Sequence, residues 1–417
     1  MRVLVLSYAF SPFKGSEFSV AWNYACHMGR ENELDIIVGL TDDHMGKLDS
    51  LNNIRDVISS KGLKVKLHPV YPSILARAVN SFNVIGLFPY AFYVAYRLWH
   101  WQAYNLAKQL VSRKTYDLVH YQNPIGYREP GYLWRLDLPY IWGPIGGLNS
   151  YESGLYPALR TKGRLDYILR NISNHLNFLF NVRLKKAINR SDLLLINNSK
   201  DKSTFDKWFK KDIEIYSESW CSAEFVSASA SNDRLRFLWV GTLNQRKGLI
   251  IFLTVLLRNN FNIELVVIGD GKERVFLEKF VMDNGIRDVD FKGRLTREQV
   301  QMEFQKSDFS LYTSLMDANP SVIWESLTNG CPIVGLGIDG FLDNTDERFA
   351  LKVNVSDFES TLNSFADVIT RILENRSEIK DWFSSNMYDA YLDKHWNNRI
   401  DEWIRFYNKA VKNFNEG

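Results

Sequence analysis

Residues 314 to 332, SLMDANPSVIWESLTNGCP, set Asp317 and Glu325 eight positions apart with an Asn-Pro step between them. Asn is a favoured helix N-cap, and Pro is tolerated at a first helical position because its missing N–H would be unpaired there anyway; Asn319-Pro320 therefore predicts a helix start. Gly330 and Pro332 then stop that helix. Asp317 falls in the loop ahead of it and Glu325 in its second turn. Beyond Ala318, Asn319 and Pro320, the backbone N–H groups of Ser321, Val322 and Ile323 are left to meet an anionic or hydroxyl-rich ligand, so a phosphorylated polyol suits the stretch. The plainer alternative makes Asp317 a helix-dipole partner and Glu325 a surface residue.

Other segments offer charge or close backbone approach. VGTLNQRKGL (240 to 249) follows a strand and opens a helix, with Arg246 and Lys247 beside Gly248; these cations suit a diphosphate, although a solvated basic turn is the commoner use of such a sequence. VVIGDG puts Gly269 and Gly271 between strand and helix, a spacing shorter than a dinucleotide fingerprint and sufficient for a tight turn alone. Gly15-Ser16-Glu17 follows the first strand, with Ser16 placed to cap a helix and Glu17 in its first turn. His120 and Gln122 end another strand, where a lone His is more often a satisfied core or loop residue than a catalyst.

Short apolar runs alternate with helix-period segments, the rhythm of βα units around parallel sheets. The expected strands are 3–10, 34–40, 63–70, 116–121, 139–143 and 192–198, then 236–241, 263–271, 289–293, 309–314 and 332–337. The Ser-rich passage at 216–234 reads as a linker, and the chain beyond 357 as wholly helical. At 417 residues the chain exceeds the ~250–300 that one core usually supports, and two doubly wound domains with ligand loops on a shared cleft are expected.

Composition narrows the function. A net charge of +3 is far from that of a general nucleic-acid binder. Cys26, Cys221 and Cys331 are odd in number and widely spaced, which argues against a disulfide framework or zinc site and for a reducing cytoplasm. No H-E-x-x-H or Gly-x-Ser-x-Gly occurs, and Asp288-Val289-Asp290 enters a strand rather than ending one. The N-terminal apolar run is too short for a signal peptide, and the aromatic segment 83–104, interrupted by Pro89, Arg97 and His100, is too short for a membrane span. Residues 157–190 read as one basic amphipathic helix: a solvated face, or a peripheral contact with anionic lipid.

Taken together, these motifs resemble the retaining GT-B glycosyltransferases of glycosyltransferase family 4, in the subset with a Gly-Ser-Glu first-strand loop and Gly-Pro-x-Gly-Gly, here Gly143 to Gly147. In that pattern an acidic residue and a Glu precede a Gly-x-Pro break; Asp317 stands where the family has Glu, Thr242 where it has Arg, and Gln122 where many relatives have His. The resemblance implies an α/β GT-B fold: an acceptor domain over 1–220, a nucleotide-sugar domain over 221–390, and a tail at 391–417 crossing back to the first. It implies Asp317 near sugar hydroxyls, Glu325 near the nucleotide ribose, Lys247 at the diphosphate, Gly293 and Arg294 near the base, and Gly15 near the donor; Arg246 is inferred, beyond the resemblance, to substitute for the Arg that Thr242 replaces. The implied reaction is metal-independent transfer from a UDP- or GDP-sugar to a glycan or lipid-linked acceptor, with retained configuration, no resident cofactor and no nucleic acid. Bacterial surface-polysaccharide synthesis at the inner face of the membrane is the implied setting. Two alternatives remain open: a sugar-nucleotide epimerase or hydrolase on the same fold, and a non-catalytic sugar-nucleotide-binding partner protein.

Overall fold

Runs such as VLVL and LVVI are apolar at every position, which suits strands covered on both faces. In the computed structural model, which describes residues 1–42, 45–88, 90–148, 151–227 and 233–416, they form two parallel sheets. Part of the 216–234 passage, residues 228–232, lies outside the described residues, as does Pro89. Chain contacts divide the molecule into one unit of residues 1–148, 176–218 and 396–417 and another of 149–175 and 219–395.

The first unit contains β1 (Arg2–Ser7), β2 (Glu33–Val38), β3 (Val65–Pro69), β4 (Leu118–Asn123), β5 (Tyr140–Ile145), β6 (Leu193–Ile196) and β7 (Ile213–Ile215), ordered β3-β2-β1-β4-β5-β6-β7. Val3 is in register with Leu34 on one side and Leu118 on the other. The order reverses between β1 and β4. The loops leaving those two strands meet there: Asn123 accepts from the Ala9 N–H through Oδ1 (3.1 Å) and donates through Nδ2 to the Ala9 carbonyl (2.8 Å).

Trp403, Phe406, Tyr407 and Ala410 recur at i, i+3, i+4 and i+7 and are the buried residues of the helix Ile400–Glu416. That face packs on β4, β5 and β6 and against the helix Glu17–Met28. Under it, Tyr24 and Tyr407 share a short hydroxyl contact, and Tyr407 donates to His120 Nδ1 (3.4 Å) while His120 Nε2–H donates to the Gly143 carbonyl (2.8 Å). Buried Arg399 lies 4.0 Å over the Tyr216 ring and donates to the Ser217 carbonyl.

The second unit contains β8 (Leu235–Val240), β9 (Ile263–Ile268), β10 (Val289–Gly293), β11 (Phe309–Tyr312), β12 (Ile333–Leu336) and β13 (Ala350–Val353), ordered β10-β9-β8-β11-β12-β13. Its order reverses between β8 and β11. Residues 149–175, expected in the first domain, group with this unit because Tyr151, Leu155, Ala158 and Leu159 join its core.

Several expectations are corrected. The segment 157–190 is not one helix: a 3₁₀ turn at Ser153–Ala158 is followed by helices Thr161–Phe180 and Val182–Arg190, and Asn181 Oδ1 caps the second by accepting from the Leu184 N–H (3.0 Å). The tail that groups with the first unit starts at Trp396, since the helix Arg376–Asp393 belongs to the second. β7 and β13 were not expected; both are short edge strands with too little apolar sequence to register as runs.

Burial lowers His120 to about 4 and His100 to about 3, so both are neutral in the folded first unit. The unfolded chain takes up a proton near 6.5, which the folded chain refuses until far lower pH. Stability is therefore complete above pH 6.5 and falls as pH drops toward 4, with a slope approaching ~1.4 kcal/mol per pH unit for each group. Urea unfolding between pH 7 and 4.5 should show this loss, and His120→Gln should remove one share of it.

Candidate functional site

In an open parallel sheet, ligands bind beyond the strand C-termini where the strand order reverses. In the second unit that point lies between β8 and β11, and the loops leaving those strands carry opposite charges. After β8, residues Gln245–Lys247 form a single 3₁₀ turn, capped by Asn244 Oδ1, which accepts from the Lys247 N–H (3.0 Å). Gly248 follows with φ +62°, and a Cβ there would lie 2.2 Å from the Thr313 carbonyl oxygen, so only glycine lets the turn sit against the β11 loop. Thr313 Oγ1 donates to the Lys247 carbonyl (2.7 Å) and accepts from Trp239 Nε1 (3.0 Å), and the Leu315 N–H donates to the Arg246 carbonyl (2.8 Å).

This framework aims two cations at one atom. Lys247 Nζ lies 2.6 Å and Arg246 Nη1 3.0 Å from Asp317 Oδ2, and Arg246 also donates to the Met316 carbonyl (2.9 Å). Burial raises the Asp317 pKa, but the charges of Lys247 and Arg246 outweigh it and hold the carboxyl below its ordinary value. Glu325 behaves oppositely. Its side chain reaches solvent, yet the protein crowding it raises its pKa, against the Ser321 hydroxyl and the charges of Arg297 and Lys247. Lys247 thus acts electrostatically on both carboxylates.

The wall beside these groups is built by close backbone packing. Gly269 (φ +132°) donates its N–H to the Gly293 carbonyl (2.8 Å), and a Cβ on it would fall 1.8 Å from the Gly241 carbonyl oxygen. At Gly271 a Cβ would meet the Leu243 carbonyl at 2.2 Å. Thr242 and Arg294 are exposed at the ends of β8 and β10. Ala318 is half-buried, and its carbonyl oxygen lies 2.0 Å from where a Cβ on Gly340 would be; the Gly340 N–H donates to the Asp317 carbonyl (3.0 Å) and pins the acidic loop.

The helix after Asp317 differs from expectation. It spans Ser321–Thr328 with Pro320, not Asn319, at the cap, because Asn319 Oδ1 accepts from Trp324 Nε1 (3.2 Å). The Ile323 N–H is occupied by the Pro320 carbonyl (3.2 Å), which leaves Ser321 and Val322 as its leading residues.

In the first unit, Ser16 precedes the helix Glu17–Met28 with φ 55° and no side-chain cap; its carbonyl instead accepts from the Ser19 and Val20 N–H groups. Glu17 Oε1 accepts from the Ile125 N–H (3.3 Å), and burial raises its pKa against that bond. Gly15 is exposed with open space around it. Gln122 is buried, its Oε1 taken by the Ser7 hydroxyl (2.6 Å), and His120 is fully buried beneath the C-terminal helix. Both side chains thus face partners inside the first unit, where burial and internal hydrogen bonds hold them in packing positions.

Sequence reasoning missed Asn244, Gln245 and Gly340. Gln245 Oε1 accepts from the Arg160 N–H (3.0 Å) and its Nε2 donates to Glu273 (3.3 Å), tying the 153–160 segment to the cationic turn. Asn three residues before Lys247, with glycine next, was a readable capping signal; Gln245 offered none.

Residues 223–403 match the family model described as Glycosyl transferases group 1. Over 140 residues the chain is 29% identical to the GalNAc-alpha-(1->4)-GalNAc-alpha-(1->3)-diNAcBac-PP-undecaprenol alpha-1,4-N-acetyl-D-galactosaminyltransferase of Campylobacter jejuni, covering 33% of this chain and 38% of that protein. The chain thus spans well under half the length of that relative. Among solved structures, sucrose-phosphate synthase from Thermosynechococcus elongatus superposes with TM-score 0.64 at 13% identity, over 98% of each chain. The lipopolysaccharide outer core galactosyltransferase WaaB in its apo form gives 0.61 at 16% identity, over 100% of this chain and 98% of that one. The fold is therefore GT-B, and the family match supports a glycosyltransferase.

The glycine geometry makes a contrast that can be measured. Gly269→Ala should lower the stability of the second unit by more than about 2 kcal/mol, while Gly15→Ala should stay within about 0.5 kcal/mol of the wild type, both read from urea midpoints.

Proposed function

We propose that this chain is a retaining, metal-independent glycosyltransferase, similar to glycosyltransferase family 4, that moves a sugar from a UDP- or GDP-sugar to a hydroxyl of a glycan or lipid-linked acceptor. The observation that carries the reading is the convergence of Lys247 and Arg246 on Asp317 Oδ2 at the point where the second sheet reverses its strand order. Two cations held by one carboxylate form a site whose charge a diphosphate can take over. When it does, Lys247 and Arg246 neutralise the negative charge that grows on the departing group, the largest electrostatic demand of the reaction.

In this mechanism the acceptor hydroxyl oxygen bonds to the anomeric carbon on the face that the diphosphate oxygen leaves. The hydroxyl proton passes to the departing diphosphate. Asp317, released from its cations, orients sugar hydroxyls, and Glu325 orients the nucleotide ribose. Gly269, Gly271, Gly293 and Arg294 line the nucleotide. The name of the Campylobacter relative includes an undecaprenol-diphosphate-linked glycan, which supports a lipid-linked acceptor; the setting we assign is surface-polysaccharide synthesis. We place the reaction at the cytoplasmic face of a membrane, with the protein bound peripherally.

A thermal-shift series with nucleotide sugars finds the donor, since a ligand that binds only the folded state raises its melting point. With that donor and an acceptor, Lys247→Ala and Glu325→Ala should each lower transfer by about a hundredfold or more with the melting point kept. Normal turnover in both variants would end the assignment, and product formed without acceptor would replace it with an epimerase or hydrolase.

A further inference from the structure

The first unit carries an apolar surface that its own fold does not use. Between β3 and β4 the chain makes a helical hairpin from helices Ile74–Val84 and Ala91–Arg113. At its tip, Phe82, Val84, Ile85, Leu87, Phe88 and Tyr90 are all exposed, Leu87 to 70% and Ile85 to 69%. Loop tips are ordinarily polar, and a contiguous apolar patch of this kind marks a binding surface. Only Ala76 of the first helix is buried, so the hairpin does not spend these residues on the core.

Charge indicates what covers the patch. From Val57 to Tyr116 there is no Asp or Glu against eight cations; Lys114 is paired with Asp35 (2.6 Å), and the cations nearest the tip are Arg77 on the first helix and Arg97 on the second. From Tyr90 along the second helix the exposed side chains change in order away from the tip: Tyr90, Tyr93 and Val94, then Arg97, then Trp101, then the polar set Lys108, Gln109, Ser112 and Arg113. Arg97 shares its charge with Glu129 (3.2 Å), which also pairs with Arg183, and Lys108 lies 5.0 Å over the Tyr104 ring. At 1.5 Å per residue, Arg97 stands about 10 Å from Tyr90 along the helix axis. That is the spacing from acyl boundary to phosphate level in a bilayer, with aromatic rings at the interface and cations above it. Among the described residues no helix is long and apolar enough to cross a membrane, which suits shallow insertion.

We propose that the tip formed by Phe82 to Phe88 and Tyr90 inserts into the surface of an anionic bilayer, with Arg77 and Arg97, on the two helices that flank it, meeting lipid phosphates. This locates the peripheral contact of the reading above and rests on it only for the acceptor's presence in that membrane.

Flotation of the full chain with vesicles tests it without any transfer assay. The wild type should float with phosphatidylcholine vesicles containing about 30% phosphatidylglycerol and bind pure phosphatidylcholine at least about tenfold more weakly. Leu87→Ser with Phe88→Ser should weaken flotation by at least about tenfold, while its melting point and donor-induced thermal shift stay at wild-type values. Arg77→Glu should weaken binding to the anionic vesicles only. Wild-type protein left at the bottom of the gradient, or a double variant that floats normally, overturns the proposal. So does a double variant that turns a dimer into a monomer with flotation unchanged, since the tip would then seat a second copy. If flotation behaves as expected but no donor supports transfer, the membrane surface stands and the enzymatic reading fails.

Discussion

Two cations sharing a single carboxylate oxygen is the interaction on which the second unit's working edge depends. Lys247 and Arg246 belong to a turn of three residues, too short to hold two like charges together by itself. The Asp317 carboxylate offsets their repulsion, and the turn's other contacts fix where that happens: Asn244 caps it, Gly248 brings it against the Thr313 carbonyl, and Trp239 orients the Thr313 hydroxyl. The cap shapes the β8 loop, and the other two contacts join its turn and strand to the β11 loop, across the place where the strand order reverses. Topology brings the loops together, and glycine lets them touch.

The first unit uses the same topology without charge. At its reversal point, Asn123 ties the β1 loop to the β4 loop through paired hydrogen bonds to Ala9, and Glu17 secures the next turn through the Ile125 N–H. His120 and Gln122, at the end of β4, point into the protein and satisfy Tyr407, Gly143 and Ser7. Parallel strands buried on both faces turn half their residues toward one helical layer and half toward the other, so a polar residue at a strand end is as easily an internal tie as a ligand.

That ambiguity sets what the sequence made legible. Most of the eleven expected strands were readable as apolar runs bounded by turns, while β3 (VKLHP) and β10 (VDFKG) mix charged with apolar residues, and the GT-B architecture followed from the rhythm and from the resemblance of the loop motifs. Lys247, Arg246 and Asp317 were readable as charges at strand ends, although their meeting on one oxygen required coordinates. The misreadings have separate causes. Asn319 has the composition of a cap but is taken by Trp324 five residues on, and Ser16 loses its capping role to a left-handed backbone. The transfer of 149–175 to the second unit depends on which core Tyr151 and Leu155 reach, and no local pattern encodes that.

The return of the last helix to the first sheet has a consequence for biosynthesis. Trp403, Phe406 and Tyr407 close a core whose other walls were laid down by β1 and β4 nearly three hundred residues or more earlier, so that half of the protein cannot be finished until the ribosome has made all of the other half. The second unit, apart from residues 149–175, is one uninterrupted stretch and can complete its core while the earlier segment waits with an apolar groove uncovered. Chains ending at residue 395 and released from the ribosome should therefore hold an order opposite to that of translation, with the later-made sheet mature and the earlier-made one still open to chaperones.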